Sequence, residues 1–173
     1  FRVCVYINGV LVQYQDFRIE EEGSSLGLVN GYGDEERPYL IENAADLQKL
    51  SGQTLTECYL LVNNIDLGGL NWNPMRLESG AVFDGNGYAV YNFVIDTIKE
   101  NNVVFIYTNF GEVKNLQLGI INESYPADGN HYSFTVSKSI TQFEGETDKA
   151  LLVGGVVGWN NNIISNCKVV NGY

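Results

Sequence analysis

Positive charge is what this chain has least of. Against 21 Asp and Glu it sets only 10 Lys and Arg, a formal charge of −11, and no basic stripe gathers along any segment. A field of that sign repels phosphate backbones, so nucleic acid and anionic lipid are poor partners. Long apolar runs are missing too. Stretches such as Leu151-Leu152-Val153-Gly154-Gly155-Val156-Val157 are of strand length, short of the ~18–20 residues that a membrane helix needs, and no membrane span is expected. Histidine occurs once, at His131, and proline three times. The cysteines, Cys4, Cys58 and Cys167, stand far apart with no CxxC pair or Cys/His cluster. That spacing argues against a zinc site and permits at most one intrachain disulfide; otherwise the thiols serve as small buried hydrophobes. The chain opens Phe1-Arg2-Val3 with no initiator Met and no signal pattern, and stops just after a strand-like run. It reads as part of a longer, processed or excised polypeptide.

What is abundant is glycine, at 19 residues, and aromatic side chains, at 12% with 11 tyrosines, in a chain of 173 residues. This is the balance of a turn-rich, strand-rich globular protein with one good core. In residues 1–30, Val3-Cys4-Val5-Tyr6-Ile7 and Val10-Leu11-Val12 flank Asn8-Gly9, the positive-φ pair of a type I′ turn, which predicts a β-hairpin. A further strand is possible from Tyr14 to Ile19. Glu20-Glu21-Glu22 then Gly23-Ser24-Ser25 break the pattern as a linker, so residues 1–30 read as the tail of a preceding β-domain or an adaptor, and 31–173 as the main unit. Downstream, Asn43 is placed to cap a short helix, with Asp46 reciprocating. Ala44, Leu47 and Leu50 share one face and Gly52 stops the helix. Such a helix suits the end of a solenoid, where core and strand edges would otherwise be bare.

From residue 56 the sequence repeats. Val90-Tyr91-Asn92-Phe93-Val94-Ile95, Val113-Lys114-Asn115-Leu116-Gln117-Leu118 and Ile164-Ser165-Asn166-Cys167-Lys168-Val169 share the pattern apolar-polar-Asn-apolar-x-apolar. Val82-Phe83, Phe105-Ile106 and Val156-Val157 stand at one fixed distance before the three asparagines. The spacing of 23 from Asn92 to Asn115 fits one solenoid turn, and that of 51 from Asn115 to Asn166 fits two with extra residues. Ser133 to Ser137 would furnish the missing strand, with exposed loops at 122–130 and 145–149. Stacked coils of this kind align strands in parallel and fuse their interiors into one apolar column. Asparagine at the corner tolerates left-handed backbone, and its amide can bond its copies above and below.

These residues resemble the GLUG-repeat family of bacterial surface proteins over about 31–172. Gly33-Asp34-Glu35-Glu36-Arg37-Pro38-Tyr39-Leu40-Ile41 is similar to the family's opening motif and Asn43-Ala44-Ala45-Asp46-Leu47 to its first helix. Asn64-Ile65-Asp66-Leu67-Gly68 with Trp72 resembles its first coil, Phe83-Asp84-Gly85-Asn86-Gly87-Tyr88 its following turn, and Val153-Gly154-Gly155-Val156-Val157-Gly158-Trp159-Asn160 its repeat signature. Val104-Phe105-Ile106-Tyr107 departs from the pattern by lacking glycines, which implies a bulkier coil. The resemblance implies an all-β chain, a right-handed parallel β-helix with a short N-terminal capping helix after the hairpin segment. It also implies secretion or display at the cell surface. Such repeats are found in adhesin-like proteins, ahead of some secreted peptidase domains, and in gut Bacteroidetes behind fimbrillin-like β-domains. Catalysis by the repeats is not implied.

Little in the sequence points to chemistry. His131 lies in a loop-like Gly129-Asn130-His131-Tyr132, with no nucleophile elbow to complete a triad. Carbohydrate-active β-helices use clustered carboxylates, for which Asp66, Asp84 and Asp96 are the candidates. Asp66 and Asp84 sit in turn-like motifs where such side chains bond their own backbone, and Asp84-Gly85-Asn86-Gly87 lacks the further ligands of a calcium loop. Gly85-Asn86-Gly87 and Gly154-Gly155 are read as corners and close coil contacts rather than phosphate cradles. No cofactor and no metal are expected. Exposed tyrosines are the remaining binding candidates: Tyr91, paired across coils with Lys114, then Tyr107, Tyr125 and Tyr132, with Tyr88 beside them. The expectation is a non-catalytic surface module, adhesin-like or a stalk, presenting a face to glycan or to a host or bacterial surface protein. The alternatives are a β-helix carbohydrate-active enzyme and the head of a larger secreted peptidase.

Overall fold

After one short helix the chain visits the same three parallel sheets in the same order four times. The computed structural model describes residues 2–7, 10–16, 24–95, 102–119, 134–136, 152–153 and 155–170. At the N-terminus β1 (Arg2–Ile7) and β2 (Val10–Asp16) pair antiparallel, as the hairpin pattern predicts; the Asn8-Gly9 turn itself lies outside the described residues. Then come β3 (Tyr39–Ile41) and α1 (Ala44–Leu50). The first pass is β4 (Thr54–Leu55), β5 (Cys58–Leu61) and β6 (Ile65–Asp66). The second is β7 (Met75–Leu77), β8 (Val82–Asp84) and β9 (Ala89–Tyr91), extended by β10 (Phe93–Ile95) and β11 (Asn102–Val103). The third is β12 (Ile106–Asn109), β13 (Glu112–Lys114) and β14 (Gln117–Leu118), extended by β15 (Phe134–Val136) and β16 (Leu152–Val153). The fourth is β17 (Val157–Asn160), β18 (Ile163–Ser165) and β19 (Lys168–Val169).

The sheets run β17-β12-β7-β4, β18-β13-β8-β5-β3 and β19-β14-β9-β6, and β10 pairs with β15 and β11 with β16. Among the described residues the architecture is therefore nearly all strand, with parallel sheets and one helix. Each pass stacks its inward side chains on those of the pass before. One column is Tyr39, Tyr59, Phe83, Val113 and Ile164; another is Ile65, Val90, Leu118 and Val169. Burial is complete or nearly so until the last member, where Ile164 and Val169 are each 40% exposed. At about 1.5–3 kcal/mol per buried large side chain, these columns are the main stabilising term. Leu28 lies in this core and Leu26 packs against it.

The helix forms as its caps require. The Asn43 side chain accepts from the Asp46 backbone N–H at 3.1 Å. The return contact differs from a standard capping box: the Asp46 carboxylate accepts from the Glu42 backbone N–H (3.3 Å) and the Asn43 side-chain amide (2.9 Å). Leu47 and Leu50 are buried and Ala44 packs against the core. Gly52, at φ +74°, takes the left-handed turn just past the helix that glycine adopts without strain.

The register corrects the repeat spacing. Asn92, Asn115 and Asn166 all have the expected positive φ, between 50° and 57°, but they do not mark one corner. Asn115 and Asn166 follow β13 and β18, whereas Asn92 follows β9 and opens β10. The second-pass partner of Lys114 is Asp84, so Gly85 stands beneath Asn115. A Cβ on Gly85 would come within 2.5 Å of the Leu116 Cα, and glycine is what lets the two passes close there. The 51 residues from Asn115 to Asn166 form one pass rather than two, because Lys114 pairs directly with Ser165. The strand foreseen near Ser133 to Ser137 is β15, which lies against Phe93–Ile95 inside that same pass. The glycine-poor Val104–Tyr107 stretch is bulky for a physical reason. Phe105 stacks on Trp72 at 4.5 Å and 7°, its carbonyl accepts from the indole Nε1 at 2.8 Å, and Phe83 and Phe93 close around it.

Candidate functional site

Strand alternation sends every second residue of the β4-β7-β12-β17 sheet outward. The outward row is Thr54, Arg76, Thr108 and Trp159, in register from pass to pass. The neighbouring inward row is Leu55, Leu77, Asn109 and Asn160. The register shifts between Ile106 and Thr108, making Tyr107 the extra residue of a bulge. Bulges re-aim side chains, and Tyr107 lies under the Arg76 guanidinium, 4.7 Å from ring centroid to Cζ. Trp159 is 59% exposed and Phe110, just past β12, is 45% exposed. One outer face thus carries an indole, a phenol ring and a cation.

The same sheet explains why Asn109 is, among the described residues, the fully buried polar one. Its amide donates to the Asn160 Oδ1 (2.8 Å) and the Ile163 carbonyl (3.1 Å), and its Oδ1 accepts from the Gly111 N–H (3.0 Å). With every hydrogen-bonding atom used, burial costs little, and the aromatic face rests on a rigid corner.

The carboxylates are committed to corners. Asp66 accepts from the Gly68 N–H at 2.8 Å and the Asn92 amide at 3.0 Å. Asp84 accepts from the Asn86 N–H at 2.7 Å and the Asn115 amide at 3.0 Å. These are the backbone-bonding turns read from the sequence, and they are cross-linked between passes. Asp96 lies outside the described residues, as do His131, Tyr125 and Tyr132. Among the described residues no group of three or more His, Cys, Asp or Glu could hold a metal ion, and no helix is long and apolar enough to cross a membrane.

The expected pairing of Tyr91 with Lys114 is not formed. Tyr91 stands beside Asp66 in the β6-β9 sheet, while Lys114 lies between Asp84 and Ser165 in another and pairs with Glu112 at 3.4 Å. The pairing depended on the 23-residue spacing, and the register removes it. Tyr88 is half-buried against the core. Tyr107 belongs to the outer face just described, but Arg76, Phe110 and Trp159 were not identified from the sequence. The sequence hid Trp159: in Val156-Val157-Gly158-Trp159 it stands two positions from inward-facing Val157, where an intact alternation would place a core side chain. A small open groove of about 180 Å³ lies between Gly87, Asn115, Leu116, Gln117 and Asn166 to Lys168.

Cys58 is buried and Cys167 half-buried, and both are free thiols. Burial pushes each thiol above its ordinary pKa, the opposite of what a nucleophile requires. This agrees with their reading as small hydrophobes. The Cys4 side chain lies outside the described residues.

No protein-family model matches the chain, and no solved structure matches it. Among curated proteins it is similar to a Gly-rich membrane protein of Evansella cellulosilytica, 32% identical over 162 aligned residues covering 80% of this chain. It is also similar to halomucin of Haloquadratum walsbyi, 31% identical over 163 residues covering 81% of this chain. The matched region is 18% of the first protein and 2% of the second, so the chain spans a small part of either relative.

Proposed function

We propose that the chain is a non-catalytic module of the bacterial extracellular surface, a right-handed parallel β-helix of the GLUG-repeat type. It holds a rigid binding face toward glycan or protein. The observation that carries this reading is the division of labour among side chains. The acidic groups Asp66 and Asp84 are absorbed into corner hydrogen bonds, while the exposed Trp159 shares one outward row with Arg76, which stands over the Tyr107 ring. The four-fold return of the chain to the same parallel sheets supports the β-helix. Crossovers between parallel strands are right-handed in about 98% of cases, which supports the hand. Relatives named as a membrane protein and a halomucin support a place at the cell envelope.

The test of location is protease treatment of intact cells that express the native polypeptide, followed by detection of this segment with an antibody. Loss of the segment while a cytoplasmic marker survives is the expected result. Protection until the cells are lysed would overturn a surface role. Incubation with a polysaccharide panel serves as the second arm. No reducing ends should be released, and sustained release abolished by a single carboxylate substitution would make the chain an enzyme instead.

A further inference from the structure

We propose that the outward row Arg76, Thr108 and Trp159, with Tyr107, is a binding site for a terminal acidic sugar. A pyranose would lie against the Trp159 indole with its carboxylate on the Arg76 guanidinium. The inference rests on the surface-module reading and names the ligand class for its exposed face.

Among the described residues, Arg76 and Lys168 are cations without an ion pair, and of the two Arg76 stands over an aromatic ring. Arg37 sits on Asp34 at 2.8 Å, Lys49 on Asp46 at 3.0 Å and Lys114 near Glu112 at 3.4 Å. Arg76 instead has the Tyr107 ring beneath it and no carboxylate partner among the described residues. In a chain with 21 acidic residues, a guanidinium held away from them presents a rare positive point. A guanidinium resting over a ring keeps N–H edges that can meet a carboxylate in bidentate fashion. Glu78, exposed two residues on, makes no ion pair with it.

Trp159 supplies the second half. An indole 59% exposed offers a broad apolar surface with an N–H donor at its edge, which matches the mixed apolar and hydroxylated faces of a pyranose. Arg76 and Trp159 lie two strand steps apart in one row, roughly 10 Å at the backbone. Both side chains are long enough to reach toward each other across Thr108, whose side chain is part of the platform floor. The net charge of −11 disfavours extended polyanions through long-range repulsion, so the site suits one acidic residue at the end of a neutral glycan. A flat platform buries little of a ligand, and a dissociation constant of about 1 mM is expected.

The experiment uses the full chain and follows binding by tryptophan emission and saturation-transfer NMR. The probes are 3′-sialyllactose, a glucuronate-terminated disaccharide and lactose as the neutral control. Saturable binding of either acidic sugar, at least tenfold tighter than lactose, is expected. Arg76→Gln should weaken it about tenfold and Trp159→Ala should remove it, with melting temperatures unchanged. If Trp159→Ala perturbs folding, Arg76→Lys, which keeps the charge and loses the fork, serves in its place with a severalfold loss. Equal response to lactose, or binding indifferent to Arg76→Gln, would overturn the proposal. No response to any of the three from folded protein would also overturn it, while surface location, judged separately by protease treatment, would stand.

Discussion

Asn115 donates to Asp84 Oδ1 at 3.0 Å and accepts at its own Oδ1 from the Asn166 amide at 2.9 Å, so one side chain bonds the pass below and the pass above. Its φ of 52° is a conformation that asparagine tolerates and most residues do not. Asn115→Ala removes both bonds and adds backbone strain. It should destabilise the chain by about 2–4 kcal/mol. Asn115→Gly keeps the turn and should cost less. Urea denaturation of both variants checks this, and equal losses would mean that the backbone conformation contributes nothing.

Trp72 and Phe105 form the other link between passes. Trp72→Phe would leave the Phe105 carbonyl without its 2.8 Å donor and should cost about 1–3 kcal/mol. Phe105→Ala should cost about 3–5 kcal/mol. Thermal melts give the magnitudes. Near-UV circular dichroism should lose the Trp72 contribution in Trp72→Phe, leaving that of Trp159, and should weaken in Phe105→Ala; an unchanged spectrum in Phe105→Ala would contradict the stacked geometry.

Alkaline pH should unfold the chain through Tyr59. Burial, with Glu57 adding to it, raises the Tyr59 pKa far above its ordinary 10.0. A tyrosine neutral when folded but ionisable when unfolded contributes stability below pH 10 and loses it as pH climbs above that value. Denaturation midpoints should therefore fall steadily above about pH 10. Tyr59→Phe should flatten that fall, and an unchanged slope would assign it elsewhere.

The thiols should separate by access. Cys58 is 6% exposed and Cys167 half-buried, with both pKa values raised by burial. Peptide mapping after iodoacetamide at neutral pH should show Cys167 modified slowly and Cys58 only on unfolding. Rapid labelling of Cys58 in native protein would contradict its place in the core.

Features fixed by a residue and its immediate neighbours could be read from the sequence. These include the Asn43 cap, the left-handed asparagines, the Asp66 and Asp84 turns and the parallel pairing of short strands. Features that depend on which strand lies beside which could not. Tyr91-Asn92-Phe93 and Lys114-Asn115-Leu116 look alike because any corner with a left-handed asparagine between two alternating strands produces the same pattern, whichever sheets it joins. Misassigning that corner placed Tyr91 beside Lys114 and hid the row that Arg76 shares with Trp159. The Tyr107 bulge, which sets the ring under Arg76, follows from register alone.

The stacking also governs how the chain can fold. Among the described residues outside the N-terminal hairpin, paired strands come from positions 20 to 51 residues apart, and no strand exceeds four residues. No such strand is stable alone, and contacts at this range close slowly. The helix, with Asn43 and Asp46 supplying its cap, is the most local of these elements, and we expect order to spread from its packing on the first pass. Each completed pass then becomes the template for the next. Folding should be vectorial, on a timescale of milliseconds to seconds, and substitutions near α1 should slow folding while those near Ile164 should mainly speed unfolding.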